Sequence, residues 1–182
     1  MNPGGFRCEH LTVVGLGLMG ASLARALRPF AATITGIDAD PATREYALAK
    51  GIVNAATDDL KEGLRDADVV LLAVPVRAII EMVRGRIGAY LRSNTLLIDT
   101  GSTKEDICGA MGTLPIGVQA IGGHPMTGKE MSGIPASDSL LYRDRPFVLC
   151  PTRRTTPAAR LRALTLVEAL GATPIDMDAH HH

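Results

Sequence analysis

The sequence predicts an α/β domain built on a doubly wound parallel sheet, and three observations predict it. Short, almost wholly apolar runs (Leu11–Val14, Asp68–Val74, Thr95–Asp99) alternate with amphipathic helical segments, the pattern of strands buried on both faces by crossover helices. The first such run turns through Gly15, Gly17 and Gly20, spaced G-x-G-x-x-G, into an Ala-rich helix bearing Leu23, Ala24 and Leu27 on one face. A second strand, Thr33–Ile37, then ends in Asp38, about 20 residues beyond the glycines, where a ribose-binding carboxylate belongs in a Rossmann-like unit.

Composition sets the bounds. A chain of 182 residues, 46% hydrophobic and 21% charged, suits a single globular domain with a sizeable core. Nineteen basic and nineteen acidic residues cancel, so no basic face favours nucleic acid or an anionic membrane. No apolar run reaches membrane-spanning length, and the first ten residues lack the apolar core of a signal peptide. Cys8, Cys108 and Cys150 match no metal or redox spacing, which reads as reduced, mostly buried thiols in a cytoplasmic protein. No metal site is expected.

The elements follow in order. Asp40 and Pro41 start a helix over Pro41–Lys50 that Gly51 ends. Asp58–Arg65 reads as a short helix or turn. After the Asp68–Val74 strand and Pro75 comes an amphipathic helix, Val76–Tyr90, and then the strand Thr95–Asp99. Ser102–Met111 is the next helix, with Ser102 and Glu105 spaced as a capping box. Val118–Ile121 is a strand, followed by a Gly-rich polar connection, Gly122–Arg145, long enough to suggest a functional loop. Phe147–Cys150, the helix Pro157–Leu170 and the strand Thr173–Met177 complete the domain.

In such sheets ligands bind beyond the C-terminal strand ends. The glycine turn (Gly15, Leu16, Gly17, Leu18, Met19, Gly20), Asp38, Val74, Pro75, Thr100 and Gly101 all fall there, and they are the expected cofactor contacts. The glycines do different things. Gly15 turns the chain off the strand, Gly17 lets a pyrophosphate approach the backbone, and Gly20 lets the helix pack on the strand. The helix N-terminus offers N–H groups and partial positive charge to phosphates. Asp38 and Asp40 would repel a 2′-phosphate, and no Arg is adjacent, so NAD is expected over NADP. The plainer alternative is a tight βα turn with no ligand.

His124, among Gly122, Gly123 and Gly128, is placed just past a strand end, where it could take a proton from a substrate hydroxyl; the alternative is a hydrogen-bonded structural His. Ser102 could donate to a nicotinamide, a substrate or His124, or serve only as a cap. Lys104 and Lys129 could meet an anionic ligand, although a solvated surface is the commoner fate of Lys, and Arg143 and Arg145 read as surface residues.

Taken together, GLGLMGASLARAL, GIDAD, DVVLLAVPV, DTGSTK, GGHPMTGKEMSG and LLYRDRPFVLCP resemble the prephenate/arogenate dehydrogenase family of tyrosine biosynthesis, in the family's order and over nearly the whole chain. The resemblance implies NAD(P)-dependent oxidative decarboxylation of a cyclohexadienol: prephenate to 4-hydroxyphenylpyruvate, or arogenate to tyrosine. It implies His124 and Ser102 as catalytic residues, with Ser102, His124, Thr127, Gly128 and Lys129 at the substrate. Thr127 departs from the residue the family often carries there. Family members continue into a helical domain that makes a homodimer and supplies Arg for the substrate carboxylates. Here residues 1–177 form the dinucleotide-binding domain, and 178–182, ending in His180, His181 and His182, form a stub of the helical domain or a tag remnant. The expectation is cofactor binding with weak turnover or none. Two other readings stand beside it: a reductase of the β-hydroxyacid dehydrogenase type, which shares the glycine turn but not GGHPMTGKE, and a non-catalytic NAD(H)-binding module, for which a retained His124 would have no use.

Overall fold

The computed structural model describes residues 5–182. Eight strands form one sheet: β1 (Cys8–Val14), β2 (Ala31–Ile37), β3 (Ala55–Thr57), β4 (Val69–Leu72), β5 (Leu96–Asp99), β6 (Gln119–Pro125), β7 (Pro146–Pro151) and β8 (Thr173–Asp176). Their order is β3-β2-β1-β4-β5-β6-β7-β8. The strand order reverses beside β1, the switch point at which doubly wound sheets open a ligand crevice.

Strand residues alternate between two cores. Leu11, Val13, Val69, Leu71, Leu96 and Ile98 point into one layer, covered by α1 (Leu18–Leu27), α2 (Pro41–Ala49) and α7 (Pro157–Ala169). Val14, Val70, Leu72 and Leu97 point into the other, covered by α3 (Leu60–Leu64), α4 (Val76–Arg84), α5 (Ile87–Tyr90) and α6 (Glu105–Met111). Burial on both faces is why VVLL and LLI carry no polar alternation. Among the described residues no helix is long and apolar enough to cross a membrane.

Several expectations are corrected. The sheet is not wholly parallel: β7 runs antiparallel to β6, while the other neighbouring pairs are parallel. The β6–β7 connection contains only a three-residue 3₁₀ turn, Ile134–Ala136, not the crossover helix a parallel return requires. That pairing also lengthens β6 beyond Ile121. Gly122, Gly123 and His124 pair with Cys150, Leu149 and Val148, so His124 lies within a strand and not past its end. β3 is an additional strand, three residues of Ala and Thr whose composition carries little strand signal. The expected helix Val76–Tyr90 is two helices separated at Gly85 and Arg86. The expected Ser102–Glu105 capping box does not form: α6 begins at Glu105, with Lys104 at its N-cap and no side-chain cap.

The turn from β1 into α1 is tight. A Cβ on Gly20 would lie 1.8 Å from the Gly15 carbonyl oxygen and 3.1 Å from Ala73 Cβ, whereas one on Gly17 would meet nothing within 4 Å. Gly20→Ala is therefore expected to lower stability by about 2 kcal/mol or more through overpacking. Gly17→Ala should cost no more than about 1 kcal/mol, the difference between Gly and Ala at an N-cap. Urea unfolding midpoints measure both; equal midpoints would contradict the close approach.

Candidate dinucleotide and catalytic site

Asp38 shapes the glycine turn directly. Its Oδ2 accepts from the Leu16 N–H at 2.8 Å and its Oδ1 from the Asp40 N–H at 3.0 Å. Gly15, at φ +88°, donates its N–H to Ile37 O at 2.7 Å, so β1 and β2 are joined at their ends. Leu16 commits its amide to Asp38 and buries its side chain against Gly36. Gly17 then caps α1 with no side-chain hydrogen bond, so no side chain satisfies the first-turn N–H groups of Leu18 and its neighbours. An uncapped helix start, an open face at Gly17 and a carboxylate at the end of β2 fit the pyrophosphate and adenosine ribose of a dinucleotide.

Asp40 turns its carboxylate onto the Ala42 and Thr43 amides and the Thr43 hydroxyl, capping α2. Helix α2 also carries Arg44 to this corner, which adjacency in sequence does not reveal. Its guanidinium donates to Asp38 O at 2.7 Å and Ala39 O at 3.0 Å, and lies 3.4 Å from Asp58.

Beyond the turn a cavity of about 420 Å³ opens over the ends of β4, β5 and β6, beside Met19 of α1. Met19, Val74, Pro75, Thr100, Gly101, Ser102, His124 and Thr127 line it, so five of the expected cofactor residues meet both expected catalytic residues there, while Gly15, Leu16, Gly17, Leu18, Gly20 and Asp38 lie outside its lining. Ser102 is exposed, and among the described residues no hydrogen bond engages its hydroxyl. Thr127 donates to Leu141 O at 3.1 Å. Gly128 and Lys129 are exposed beyond the lining, and Lys129 pairs with Asp138 at 2.8 Å.

His124 is partly buried, with its Nδ1 2.8 Å from His182 Nε2. Burial, and then the His182 and Lys104 charges, hold its pKa below the ordinary 6.5, so the neutral imidazole is favoured. His182 thus lies against the site, a contact that three consecutive His in sequence do not announce. Among the described residues no group of three or more His, Cys, Asp or Glu is placed to hold a metal.

The Gly122–Arg145 connection is tied across α1. The Tyr142 hydroxyl donates to Met19 O at 2.7 Å, Asp138 N donates to Ser22 Oγ at 2.9 Å, and Arg25 Nε donates to Ser137 Oγ at 2.9 Å. Arg143 and Arg145 are exposed. Lys104 is not solvated: it is 1% exposed and forms a buried ion pair with Asp99. Cys108 and Cys150 are buried free thiols and Cys8 is half-buried. Burial raises the Cys8 thiol to about 11 and the Cys108 thiol to about 12, which makes both poor nucleophiles at neutral pH.

The family model described as prephenate dehydrogenase, nucleotide-binding domain, matches residues 23–175. The cyclohexadienyl dehydrogenase of Zymomonas mobilis is 32% identical over 177 residues, covering 96% of this chain and 60% of the relative. The solved arogenate dehydrogenase of Synechocystis superposes with a TM-score of 0.87 at 30% identity, over 95% of this chain and 61% of that one. The prephenate dehydrogenase of Aquifex aeolicus in complex with hydroxyphenyl propionate and NAD+ superposes with a TM-score of 0.84 at 28% identity, over 96% of this chain and 61% of that one. The chain therefore spans about 60% of these relatives' lengths. With a mostly parallel doubly wound sheet, a glycine turn at its switch point and a family match over most of its length, the chain belongs to the prephenate dehydrogenase nucleotide-binding domain family.

Proposed function

We propose that this chain binds NAD and contributes the proton-handling half of a site that oxidatively decarboxylates prephenate or arogenate. The observation that carries the reading is the shared cavity: His124 and Ser102 open onto the same space as Met19 of the glycine turn and the Val74–Pro75 strand end.

In this reading the N–H groups at the start of α1 would hold the pyrophosphate and Asp38 would accept from the adenosine ribose hydroxyls, while Val74, Pro75, Thr100 and Gly101 would receive the nicotinamide. Bound NAD+ supplies the acceptor for the electron pair leaving the substrate's ring C4. Neutral His124 takes the proton of the C4 hydroxyl as the C4–H bond breaks, and a ring carbonyl forms. The bond to the ring carboxylate then breaks; its electron pair flows toward the new carbonyl, CO2 leaves, and the ring becomes an aromatic phenolate that takes back a proton. Aromatisation makes the sequence irreversible. Ser102, with its hydroxyl uncommitted, orients the substrate oxygen or the nicotinamide amide. The protein contributes orientation and the handling of one proton. Substrate carboxylate contacts and the homodimer are assigned to the helical domain that the family resemblance implies.

Absorbance at 340 nm with prephenate and with arogenate tests the reaction, and 3-hydroxy acids serve as the contrasting substrates. His124→Asn should retain NAD binding and lose turnover by about 10²-fold or more, the range of a general base; unchanged turnover would refute the role. NAD should bind more tightly than NADP, because a 2′-phosphate would meet the Asp38 carboxylate while Arg44, the nearby cation, is engaged by Asp38 O, Ala39 O and Asp58. Asp38→Asn should narrow the gap, and tighter binding of NADP would overturn the assignment.

The depressed His124 pKa has a stability consequence. Its folded value lies below the unfolded 6.5, so the unfolded chain takes up this proton first as pH falls. The contribution is complete above 6.5 and is lost as pH falls through the folded value. An NMR titration should place the His124 midpoint below 6.5, and His182→Ala should raise it; a midpoint at or above 6.5 would contradict the burial argument.

A further inference from the structure

Asp99 and Lys104 lie outside the catalytic and cofactor assignments above, yet both are fully buried beneath the cavity. Asp99 is the last residue of β5. Its Oδ2 accepts from the Gly101 N–H at 2.7 Å and from the Lys104 ammonium, and its Oδ1 accepts from the Gly123 N–H at 3.0 Å. Lys104 Nζ donates again to Gly123 O at 2.6 Å. One ion pair therefore holds both polar groups of the residue before His124 and the amide of the residue before Ser102.

The glycines leave room for this arrangement. A Cβ on Gly123 would lie 2.4 Å from Asp99 O, and one on Gly101 would lie 3.0 Å from Asp99 Oδ2. A Cβ on Gly122 would lie 3.3 Å from the Lys104 stem and 2.5 Å from Cys108 Sγ. Burial pushes the Asp99 carboxyl up, opposed by the Lys104 ammonium and by the amides of Gly123 and Gly101. Each oxygen of the carboxylate accepts at least one hydrogen bond, which accounts for how a charge is held there. Secondary structure alone does not need the pair: β5 and β6 are already laddered from Leu96–Gln119 to Ile98–Ile121. The pair acts one step further along, where the ladder to β5 has ended and the two candidate catalytic residues begin.

We propose that the buried Asp99–Lys104 pair is a positioning device that fixes the backbones of Gly101 and Gly123 in one frame, and so sets the spacing of Ser102 and His124 for the reaction. The proposal rests on the functional reading above for the reaction it serves. Asp99 and Lys104 are positioning residues that act through their neighbours.

The test compares the full chain with Lys104→Met and with the double variant Asp99→Asn/Lys104→Met. The double variant removes both charges and leaves neither one orphaned, so it guards against simple unfolding. NAD+ affinity, kcat and KM with prephenate and arogenate, and the Ser102–His124 Cα separation in crystal structures are measured on folded protein. Turnover should fall by about 10²-fold, the scale of a small misplacement of reacting groups, with NAD+ affinity and KM little changed and the Ser102–His124 Cα separation altered. A merely structural role would leave kcat and the Ser102–His124 Cα separation at their native values in any variant that folds, and that result would overturn the proposal. If the unmodified chain turns over neither substrate, the functional reading is what fails. The Ser102–His124 Cα separation in crystal structures of the variants then decides the positioning claim by itself: a changed spacing supports it and an unchanged one overturns it.

Discussion

The close approach of α1 to the ends of β1 and β4 is the constraint on which the ligand edge of this sheet depends. Gly20 sits against the Gly15 carbonyl and Ala73, with no space for a methyl group between helix and sheet. That contact aims the start of α1 across the switch point, toward the strand ends where Val74, Thr100 and His124 gather. Asp38 completes the geometry from β2 by holding the Leu16 amide. The same carboxylate thus shapes the turn and, in the proposed reading, would also accept from a ribose.

A second layer of order sits beneath the cavity. Parallel strands bring β5 and β6 to one edge, but a ladder of backbone hydrogen bonds between them ends at Ile98 and Ile121. Past that point the segments carrying Ser102 and His124 need another tether. On one side it is the antiparallel pairing of His124 with Val148 of β7; on the other it is Asp99 and Lys104. The Gly122–Arg145 connection adds a third restraint, through the buried Tyr142 hydroxyl on Met19 O. The loop after the candidate base is thereby linked to the helix that would receive the pyrophosphate.

Much of this is legible in the residues themselves. Apolar runs without alternation mark strands covered on both faces, and G-x-G-x-x-G followed by Asp38 marks the turn and its carboxylate. The convergence of Met19, Val74, Ser102 and His124 follows from strand ends alone. Strand direction is not legible at β7, because only the lack of a crossover helix decides it and the long Gly122–Arg145 stretch hides that lack. β3 escapes a reading of the residues because Ala-Ala-Thr has no strand signature of its own. The Ser102–Glu105 spacing suggests a cap, but Asp99 draws Gly101 and Lys104 inward and the helix starts later. The burial of Lys104 depends on a partner in another element and on space left by Gly122 and Gly123, neither of which appears in a local pattern. An acid closing the apolar strand TLLID is the one available hint.

The most direct test of the central claim, that strand ends assemble a dinucleotide cradle and a proton acceptor around one cavity, is a crystal structure of this chain with NAD+. The pyrophosphate should lie against the start of α1 over Gly17, the adenosine ribose on Asp38, and the nicotinamide ring between Val74–Pro75 and His124, with the Asp99–Lys104 pair intact. A dinucleotide bound elsewhere, or a nicotinamide ring turned away from His124 and Ser102, would contradict it.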